Sequence, residues 1–209
     1  LHHKIKVTKE SQGLIDQTNK EIDYEVNQPH LPKQKLSFMK GPYTESEVTK
    51  ILGPNWRSIV RFPVYRRGKL RPCEDGLSSS LNATVSRLEK LICSSVDIIV
   101  AFVSHLYRNV QEDLLGWAID ELKAYRQNPI LPEHRRHAVV TLRDPKDYQL
   151  KYYIVIGCSF GFTSAAYNHN RRSLALQHIF TRIFGLVTDC YFDDRFGIGP
   201  ASTAGGGGA

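Results

Sequence analysis

The sequence predicts an α+β fold in which helices pack on antiparallel strands. Three segments alternate between apolar and polar residues, as half-buried strands do, and they lie at 59–65, 137–142 and 151–156. The segment 163–180 instead carries polar residues such as Asn168 and Arg171 that can share one side, with Leu174, Ile179 and Phe180 toward a core, which is typical of a helix with one buried face. Because only a short polar turn separates the last two strands, we expect them to pair antiparallel.

The N-terminal residues 1–39 are polar and basic and show no clear periodicity. We predict a flexible arm here, which either follows the backbone of a nucleic acid or is simply disordered. The first helix is expected to start at Thr44, because Thr44 and Glu47 form the pattern of a capping box ahead of the apolar residues Val48 and Ile51.

A basic hairpin and two helices are predicted in the following part of the chain. The strand at 59–65 returns through residues 69–72 across the turn Arg66-Arg67-Gly68. Apolar residues near helical spacing predict helices at 82–102 and 104–115.

The tetrapeptide Tyr191-Phe192-Asp193-Asp194 places two adjacent acids between apolar segments. Burying a carboxylate without a partner is costly, so the pair is either solvated at a turn or neutralised by a cation. At the tip of a hairpin, both acids can face one side and hold a divalent metal through hard oxygen ligands. An ordinary acidic turn between two strands fits the same tetrapeptide.

A third aspartate, Asp120, follows a short apolar stretch. At a strand end beside the Asp-Asp hairpin, it would complete a site of three carboxylates for two Mg²⁺ ions. A two-metal nucleotidyl transfer requires such a site, because one ion activates the attacking hydroxyl while the other stabilises the leaving pyrophosphate. Taken alone, Asp120 also fits the N-cap of a helix that starts at Glu121.

Four motifs, in this order, resemble the fingers and palm of the reverse transcriptases of retroelements. They are a basic hairpin with a following acid and Asn at 68–82, Asp-Glu-Leu-Lys-Ala-Tyr-Arg-Gln at 120–127, a Gly turn that opens a helix at 159–168, and the Tyr-x-Asp-Asp box at 191–194. The resemblance extends from about residue 41 to residue 198. It implies a polymerase palm, which is an antiparallel sheet with packed helices, plus a fingers subdomain, with the thumb absent.

The resemblance also implies a division of the chain. The expected regions are the basic arm at 1–39, a fingers-like region at 40–117, a palm with the catalytic aspartates at 118–198, and a flexible tail at 199–209. The tail ends in a run of Ala and Gly, which have no side chains that could build a core.

The activity that the resemblance implies is RNA-templated DNA synthesis, a nucleotidyl transfer from a dNTP to a primer 3′-hydroxyl. Asp120, Asp193 and Asp194 would be the catalytic metal ligands for two Mg²⁺ ions, for which Mn²⁺ can substitute. The implied partners are an RNA template, a DNA or RNA primer and the dNTP. The alternative is a degenerate, catalytically inactive remnant that at most binds nucleic acid.

Further residues match positions that contact the incoming nucleotide in the family. Lys69 and Arg71 would reach its triphosphate, and Tyr125 would lie under the sugar and exclude a 2′-hydroxyl. Gly161 would let the backbone approach a base pair closely. Without the resemblance, Tyr125 fits a core aromatic and Gly161 a plain turn. The complete nucleotide-binding set is Lys69, Arg71, Tyr125, Gln127, Phe160 and Gly161.

Three residues depart from the family pattern. Gly76 removes an apolar anchor after the fingers motif, and Glu121 stands directly after Asp120, where an apolar residue is usual. Arg195 follows the Asp-Asp box, and a cation there could pair with Asp194 and compete with a metal for it. These departures, together with the absent thumb, keep the inactive alternative open.

Composition favours an anionic partner and an intracellular location. The chain of 209 residues carries a net charge of +7, and a basic surface attracts polynucleotides. Its four cysteines show no metal-ligand spacing, which favours free thiols in a reducing compartment. No apolar run approaches the ~18 residues of a membrane span, and no signal peptide opens the chain. We therefore expect a cytoplasmic or nuclear protein that is not secreted and has no transmembrane segment.

Overall fold

The computed structural model describes residues 16, 19–20, 26, 37–66, 69–86, 88–144 and 147–204. Most of the predicted basic arm, the hairpin tip at 67–68, residues 145–146 of the predicted turn and the tail from residue 205 lie outside the described residues. The described residues form a mixed structure of two sheets and several helices, which confirms the α+β class.

Strands and helices share the described part of the chain. The strands are β1 (Met39–Tyr43), β2 (Ser58–Arg66), β3 (Lys69–Glu74), β4 (Leu114–Asp120), β5 (Val139–Arg143), β6 (Leu150–Val155), β7 (Thr188–Tyr191) and β8 (Asp194–Pro200). The α-helices are α1 (Glu45–Leu52), α2 (Val96–Asn109), α3 (Thr163–Arg182) and α4 (Ala201–Ala204). Short 3-10 helices occur at Asn82–Thr84, Ala124–Gln127 and Pro132–His137.

These elements divide into two compact units. The first unit contains the described residues up to Val85 together with Tyr125–Ala165. The second contains Ser86–Ala124 and the described residues from Ala166 onward. The expected division into a fingers-like region and a palm does not coincide with these units, because residues 125–165 belong with the N-terminal strands.

The first unit is built on a five-stranded sheet in the order β1-β6-β5-β2-β3. Neighbouring strands are antiparallel except β2 and β5, which run parallel. The hairpin of β2 and β3 and the antiparallel pair of β5 and β6 confirm the strands predicted from alternation. Alternation was sufficient for β2, where Ile59 and Arg61 are buried between exposed neighbours, whereas the adjacent Val139 and Val140 of β5 are both buried.

Alternation along β5 places neighbouring valines in separate hydrophobic clusters. Val140 packs in one cluster with Met39, while Val139 packs in another with Val48 and Tyr152. Successive side chains of a strand point to opposite faces, so apolar contacts cover both faces of the sheet. Met39 is fully buried in β1, which means that the last residue of the predicted arm belongs to the core.

Helix α1 begins with the capping box predicted at Thr44. The Thr44 hydroxyl accepts a hydrogen bond from the backbone N–H of Glu47 at 3.4 Å, and the Glu47 carboxylate accepts one from the backbone N–H of Thr44 at 2.7 Å. These bonds satisfy two N–H groups that a helix start leaves open. The buried residue of the helix is Val48, which fixes the apolar face that α1 turns to the sheet.

The second unit contains a three-stranded antiparallel sheet in the order β4-β8-β7. Helix α2 contacts β4 and β8, and α3 is hydrogen-bonded to β7 through Gln177, whose Nε2 donates to the Thr188 carbonyl at 3.1 Å. Trp117 on β4 lies opposite Gly197 on β8, and a side chain at Gly197 would collide with the indole ring. The hairpin of β7 and β8 and the helix α3 confirm the two elements predicted there.

The region 82–115 contains less helix than predicted. Its helical parts are the 3-10 turn Asn82–Thr84 and α2, and Leu114 already belongs to β4. The spacing of Leu88 and Ile92 suggested a helix face, but these side chains are 91% and 65% exposed. Most helical stability in proteins comes from burying such a face, so the spacing alone does not form a helix.

An ordered helix, α4, occupies the first part of the segment expected to be a flexible tail. The backbone N–H of Ala201 donates to the Asp113 carbonyl at 2.8 Å. The Ser202 hydroxyl donates to the Glu112 carboxylate at 2.9 Å. Side chains and backbone of the segment before β4 therefore hold the start of the tail, which composition did not indicate.

Candidate active site

Asp120 and Asp194 lie directly opposite each other at one end of the three-stranded sheet. Asp120 ends β4, Asp194 begins β8, and the two residues are Cα partners in the antiparallel pairing. Directly opposed residues present their side chains on the same face, with Cβ atoms about 5 Å apart. Both residues are exposed, so the two carboxylates can be approached from solvent.

The interpretation of Asp120 as a helix N-cap is wrong. The residues after it form a turn, in which Lys123 has a φ of 52°, and then the 3-10 helix Ala124–Gln127. Asp120 is held instead by strand pairing along the whole of β4. This is the position at a strand end, beside the Asp-Asp hairpin, that the three-carboxylate prediction requires.

Asp193 lies in the two-residue loop between β7 and β8. The other loop residue, Phe192, has a φ of 53°, which is uncommon for a residue other than glycine. The Asp193 carbonyl accepts a hydrogen bond from the backbone N–H of Glu121 at 3.4 Å. This bond ties the loop to the residue after Asp120, so the structure brings all three expected metal ligands to the same end of the sheet.

The donor chemistry of this end of the sheet suits a hard divalent cation. Carboxylate oxygens are the ligands that Mg²⁺ and Mn²⁺ prefer, and the three aspartates supply them. Across the described residues, no group of three or more His, Cys, Asp or Glu side chains is arranged closely enough to hold a metal ion. Asp120, Asp193 and Asp194 do not form such a group, and what they offer a divalent ion is the chemistry of their carboxylates and their shared place at one end of the sheet.

Two buried side chains of α3 hold the Asp-Asp loop. His169 Nε2 lies 3.0 Å from the Phe192 carbonyl oxygen, and the Ser173 hydroxyl donates to the same oxygen at 3.1 Å. The two residues are 0% and 1% exposed. The Phe192 carbonyl belongs to the peptide group that continues into Asp193, so these contacts fix the backbone at the aspartate. Sequence analysis missed both residues, although their spacing of four places them on one face of the predicted helix.

Arg195 does not pair with Asp194 as the sequence suggested. Successive side chains of β8 point to opposite faces, so Arg195 lies on the other side of the sheet. It is 5% exposed, and its Nη2 donates to the Ser173 carbonyl at 3.2 Å. Its guanidinium carbon lies 5.1 Å from the centre of the Phe180 ring. The expected competition with a metal for Asp194 is therefore wrong.

Glu121, the second departure from the family pattern, also has a structural partner. Its carboxylate forms an ion pair with Arg172 of α3 at 2.6 Å. The ion pair attaches the residue after Asp120 to the helix that also holds the Asp-Asp loop. The acid at this position thus has a role in the second unit that an apolar residue would not have.

All six residues expected to contact the nucleotide lie in the first unit. Tyr125 and Phe160 form an aromatic pair with ring centroids 4.8 Å apart. Tyr125 is half-buried against the hydrophobic cluster of Met39, and Phe160 is 40% exposed. Arg71 on β3 is exposed, as is Gln127, while Lys69 begins β3. The structure therefore brings together the aromatic pair and the adjoining Gly161, and places the two basic residues along one strand.

Gly161 is required for a backbone contact inside this unit. Its φ is 93°, and a side chain there would collide with the Glu74 carbonyl. The close approach that the structure shows is to the backbone of Glu74, and the approach to a base pair that the resemblance implies stays a prediction. Gly76 belongs to the same contact, because a Cβ at this position would lie 2.6 Å from the Gly161 carbonyl oxygen. Packing against Gly161 therefore requires glycine at position 76, which explains why no apolar residue stands there.

Asn82, the last residue of the fingers motif, fastens the same loop. Its side-chain Nδ2 donates to the Gly161 carbonyl at 2.9 Å, and its Oδ1 accepts from the backbone N–H of Thr163 at 2.8 Å. One amide side chain thereby satisfies an acceptor and a donor of the loop that enters α3. The Asn at this place in the motif is explained by these two bonds.

A buried carboxylate, Glu74, links three parts of the first unit. Its Oε1 accepts hydrogen bonds from Arg61 Nη2 at 2.6 Å and from Arg126 Nη2 at 2.7 Å. Arg126 Nη1 also donates to the Ser159 hydroxyl at 2.5 Å. Because Arg126 and Ser159 each adjoin one member of the aromatic pair, this ion-pair cluster holds the backbone on both sides of it.

The electrostatics of the cluster keep Glu74 ionised. Burial by itself raises the pKa of Glu74, but the charges of Arg126 and Arg61 outweigh burial and hold this pKa below its usual value. Glu74 is 1% exposed, so water contributes little to its solvation. Sequence analysis missed the cluster, because Glu74 lies beyond the predicted return strand 69–72, although Arg61 and Glu74 are opposite charges at directly paired positions of the hairpin of β2 and β3.

The functional assignment of the chain rests on the residues described above. No protein-family model and no curated protein matches the chain.

None of the helices in the described residues is both long enough and apolar enough to cross a bilayer. The cysteines are free thiols, as their spacing indicated, and they are Cys73, Cys93, Cys158 and Cys190.

Proposed function

We propose that the chain is the fingers and palm part of a reverse transcriptase and carries out RNA-templated DNA synthesis. The observation that carries the proposal is the pairing of Asp120 with Asp194 at the end of β4 and β8, with Asp193 in the adjoining loop. Carboxylates concentrated at one end of a small sheet, with no ion pair to a basic residue among those that the structure describes, are suited to divalent cations. In this proposal the palm is the stretch 118–198, which carries the three aspartates, and the hairpin of β2 and β3 belongs to the fingers-like region 40–117.

The aspartates would bind the metal ions, and the remaining residues would position the substrates. Asp120, Asp193 and Asp194 would hold two Mg²⁺ or Mn²⁺ ions, which when bound supply activation of the primer 3′-hydroxyl and neutralise charge on the triphosphate. The protein's own part is to hold the carboxylates in place, through strand pairing for Asp120 and Asp194 and through the backbone of the loop for Asp193.

The residues that match the family's nucleotide contacts would bind the incoming dNTP. Arg71 is exposed and offers a planar fork for two phosphate oxygens, and Lys69 would add a point charge. Tyr125 would exclude a 2′-hydroxyl, with Phe160 and the ion-pair cluster of Glu74 holding its ring in place. The RNA template and a DNA or RNA primer are the further partners, and an intracellular location is part of the same proposal.

The structure removes two reasons for preferring an inactive remnant. Arg195 lies on the face of β8 away from Asp194, and Gly76 is needed for the contact with Gly161. Neither departure blocks the exposed carboxylates of Asp120 and Asp194.

The test is primer extension by the purified chain on an RNA template, with dNTPs and rNTPs in parallel and with Mg²⁺ or Mn²⁺. We expect extension with dNTPs that requires the divalent ion and stops when it is chelated. No extension under any of these conditions, by a chain that is folded by circular dichroism, would contradict the proposal and favour a remnant.

Tyr125→Val is expected to weaken selection against ribonucleotides. If the Tyr125 ring excludes a 2′-hydroxyl, a smaller side chain should raise rNTP use relative to dNTP use by roughly 10- to 100-fold. The measurement is the ratio of kcat/KM for dNTP and rNTP in single-nucleotide extension, and a ratio is insensitive to partial loss of folded protein. Tyr107→Val, on the exposed face of α2, is the matched control. An unchanged ratio would show that Tyr125 does not select the sugar.

His169→Ala is expected to weaken metal-dependent activity without removing a metal ligand. Because His169 contacts the Phe192 carbonyl, its loss should free the backbone at Asp193, and residues that support metal ligands typically contribute 10- to 100-fold (roughly) to metal affinity or activity. The measurement is the Mg²⁺ concentration that gives half-maximal extension. His178→Ala, at an exposed site on the same helix, should leave this concentration unchanged. A lower melting temperature with an unaltered Mg²⁺ requirement would show that His169 only stabilises the fold.

A further inference from the structure

A cavity of about 500 Å³ opens on the surface of the first unit, apart from the residues considered so far. It lies between the segment that precedes β2 and the 3-10 helix Pro132–His137, which are joined by a hydrogen bond of 2.7 Å from the Arg57 N–H to the Arg136 carbonyl. Its lining residues are Pro54, Asn55, Trp56, Arg57, Arg136 and His137.

The cavity is strongly cationic. Arg57 and Arg136 are exposed, and neither forms an ion pair with any residue that the structure describes. Arg136 Nε donates instead to His137 Nε2 at 3.3 Å. Burial lowers the pKa of His137, and the charges of Arg136, Arg57 and His134 lower it further. The exposed Glu133 is the acid of this 3-10 helix, so basic side chains outnumber acidic ones around the cavity.

One wall of the cavity is aromatic and fixed in place. The Trp56 indole N–H donates to the Thr49 hydroxyl at 3.0 Å. The same ring packs against Tyr152 in a T-shaped arrangement, with centroids 5.4 Å apart and planes at 79°. Trp56 is half-buried, so the part of the indole that these contacts leave uncovered lines the cavity. A rigid ring beside two guanidinium groups combines the two features that single-stranded nucleic acids need for binding.

We propose that this cavity binds a nucleotide of the single-stranded RNA template, with its phosphate on Arg57 and Arg136 and its base against Trp56. This inference rests on the proposed function, because the template is the single-stranded partner that function requires. Guanidinium groups bind phosphate oxygens through paired N–H donors, and stacking on an aromatic ring accepts any base. Bases within a duplex are already stacked on their neighbours, so a concave site with a single ring favours an unpaired strand.

The experiment measures binding of a fluorescein-labelled single-stranded RNA by anisotropy, without dNTP or divalent ions, as a function of salt. We compare the wild-type chain with Arg57→Gln/Arg136→Gln. The matched control is Lys50→Gln/Arg108→Gln, which removes the same charge at exposed positions outside the cavity. We expect at least 10-fold weaker binding for the cavity variant only. Its slope of log K against log salt should fall by about 0.7, since neutralising one phosphate of a single strand contributes about 0.7.

A second variant tests whether binding needs the guanidinium groups of the cavity or only their positive charge. Arg57→Lys/Arg136→Lys keeps the charge and should retain more of the binding than the glutamine pair. Equal losses in the cavity and control variants, or no measurable RNA binding by the wild-type chain at low salt, would overturn the inference. Because the assay needs no catalysis, RNA binding that depends on the cavity supports the inference even if primer extension fails. If the chain extends primers but its RNA binding does not depend on the cavity residues, the inference is refuted and the proposed function stands.

Discussion

Asp193→Asn is expected to abolish primer extension while leaving the affinity for primer and template within about twofold of wild type. The amide of Asn has the shape of the carboxylate but lacks its charge, so a bound divalent ion would lose the negative charge of this ligand. Metal ions stabilise transition-state charge by several kcal/mol, and a loss of about 4 kcal/mol corresponds to roughly a 10³-fold lower rate. The basic surfaces of the chain are untouched by this change, which is why binding should persist.

The comparison needs controls that differ only in position. Asp120→Asn should reduce extension as severely as Asp193→Asn, and Asp194→Asn should reduce it less, because the family resemblance makes Asp194 the weaker of the three acids. Asp113→Asn changes an exposed aspartate outside the carboxylate group and should have no effect on the rate. Single-turnover extension and gel-shift affinity are measured on the same preparations. If binding fell as far as synthesis in the Asp193 variant, the assignment of a metal site would be untenable.

Glu74→Ala is expected to lower the free energy of unfolding of the first unit by about 3–5 kcal/mol, the usual cost of leaving buried charges without their partner. Arg61 and Arg126 are 6% and 3% exposed and share the Oε1 atom of Glu74. Removing the carboxylate leaves two guanidinium groups close together in a site that solvent reaches poorly. Urea denaturation, followed by the circular dichroism of the strands, measures the change.

The pH dependence of the same variant checks the cause. The pKa of Glu74 is lower in the fold than its ordinary value, so its contribution is fully present above the pKa of the unfolded chain, about 4.3. That contribution is lost as the pH falls through the lowered pKa of the folded state. The difference in stability between wild type and Glu74→Ala should therefore be constant from neutral pH to about pH 5 and shrink only in stronger acid. Glu133→Ala, at an exposed position, should change stability by less than about 0.5 kcal/mol.

The hairpins of β2 with β3 and of β7 with β8 and the pair of β5 with β6 could be predicted because short turns separate their apolar runs in the sequence, whereas β1 and the start of β4 were missed. The capping box at Thr44 was predictable for a similar reason, since both of its bonds form between residues three apart. The helices at 82–115 could not be predicted correctly. Apolar residues such as Leu88 have the spacing of a helix, but the spacing does not show whether any other element covers them.

The candidate site divides in the same way. The aspartates and the aromatic Tyr125 could be predicted from the sequence because their motifs are local in sequence. His169 and Glu74 were not, since each acts through a partner far along the chain, at Phe192 and at Arg126. The side of β8 to which Arg195 points was implicit in strand alternation, and it became certain only once the register with β4 was known.

The contact of Trp117 with Gly197 has a consequence for the two aspartates. A residue with a side chain does not fit under the indole, so the contact permits the alignment of β4 and β8 that places Gly197 opposite Trp117. Counting three residues along each strand from this contact leads to Asp120 and Asp194. If β8 slid by one position, Asp120 would face Arg195 or Asp193, and a cation or a loop residue would replace the opposed carboxylate. Trp117 and Gly197 take no part in the proposed chemistry, but their contact sets the strand register that places the carboxylates of Asp120 and Asp194 opposite each other.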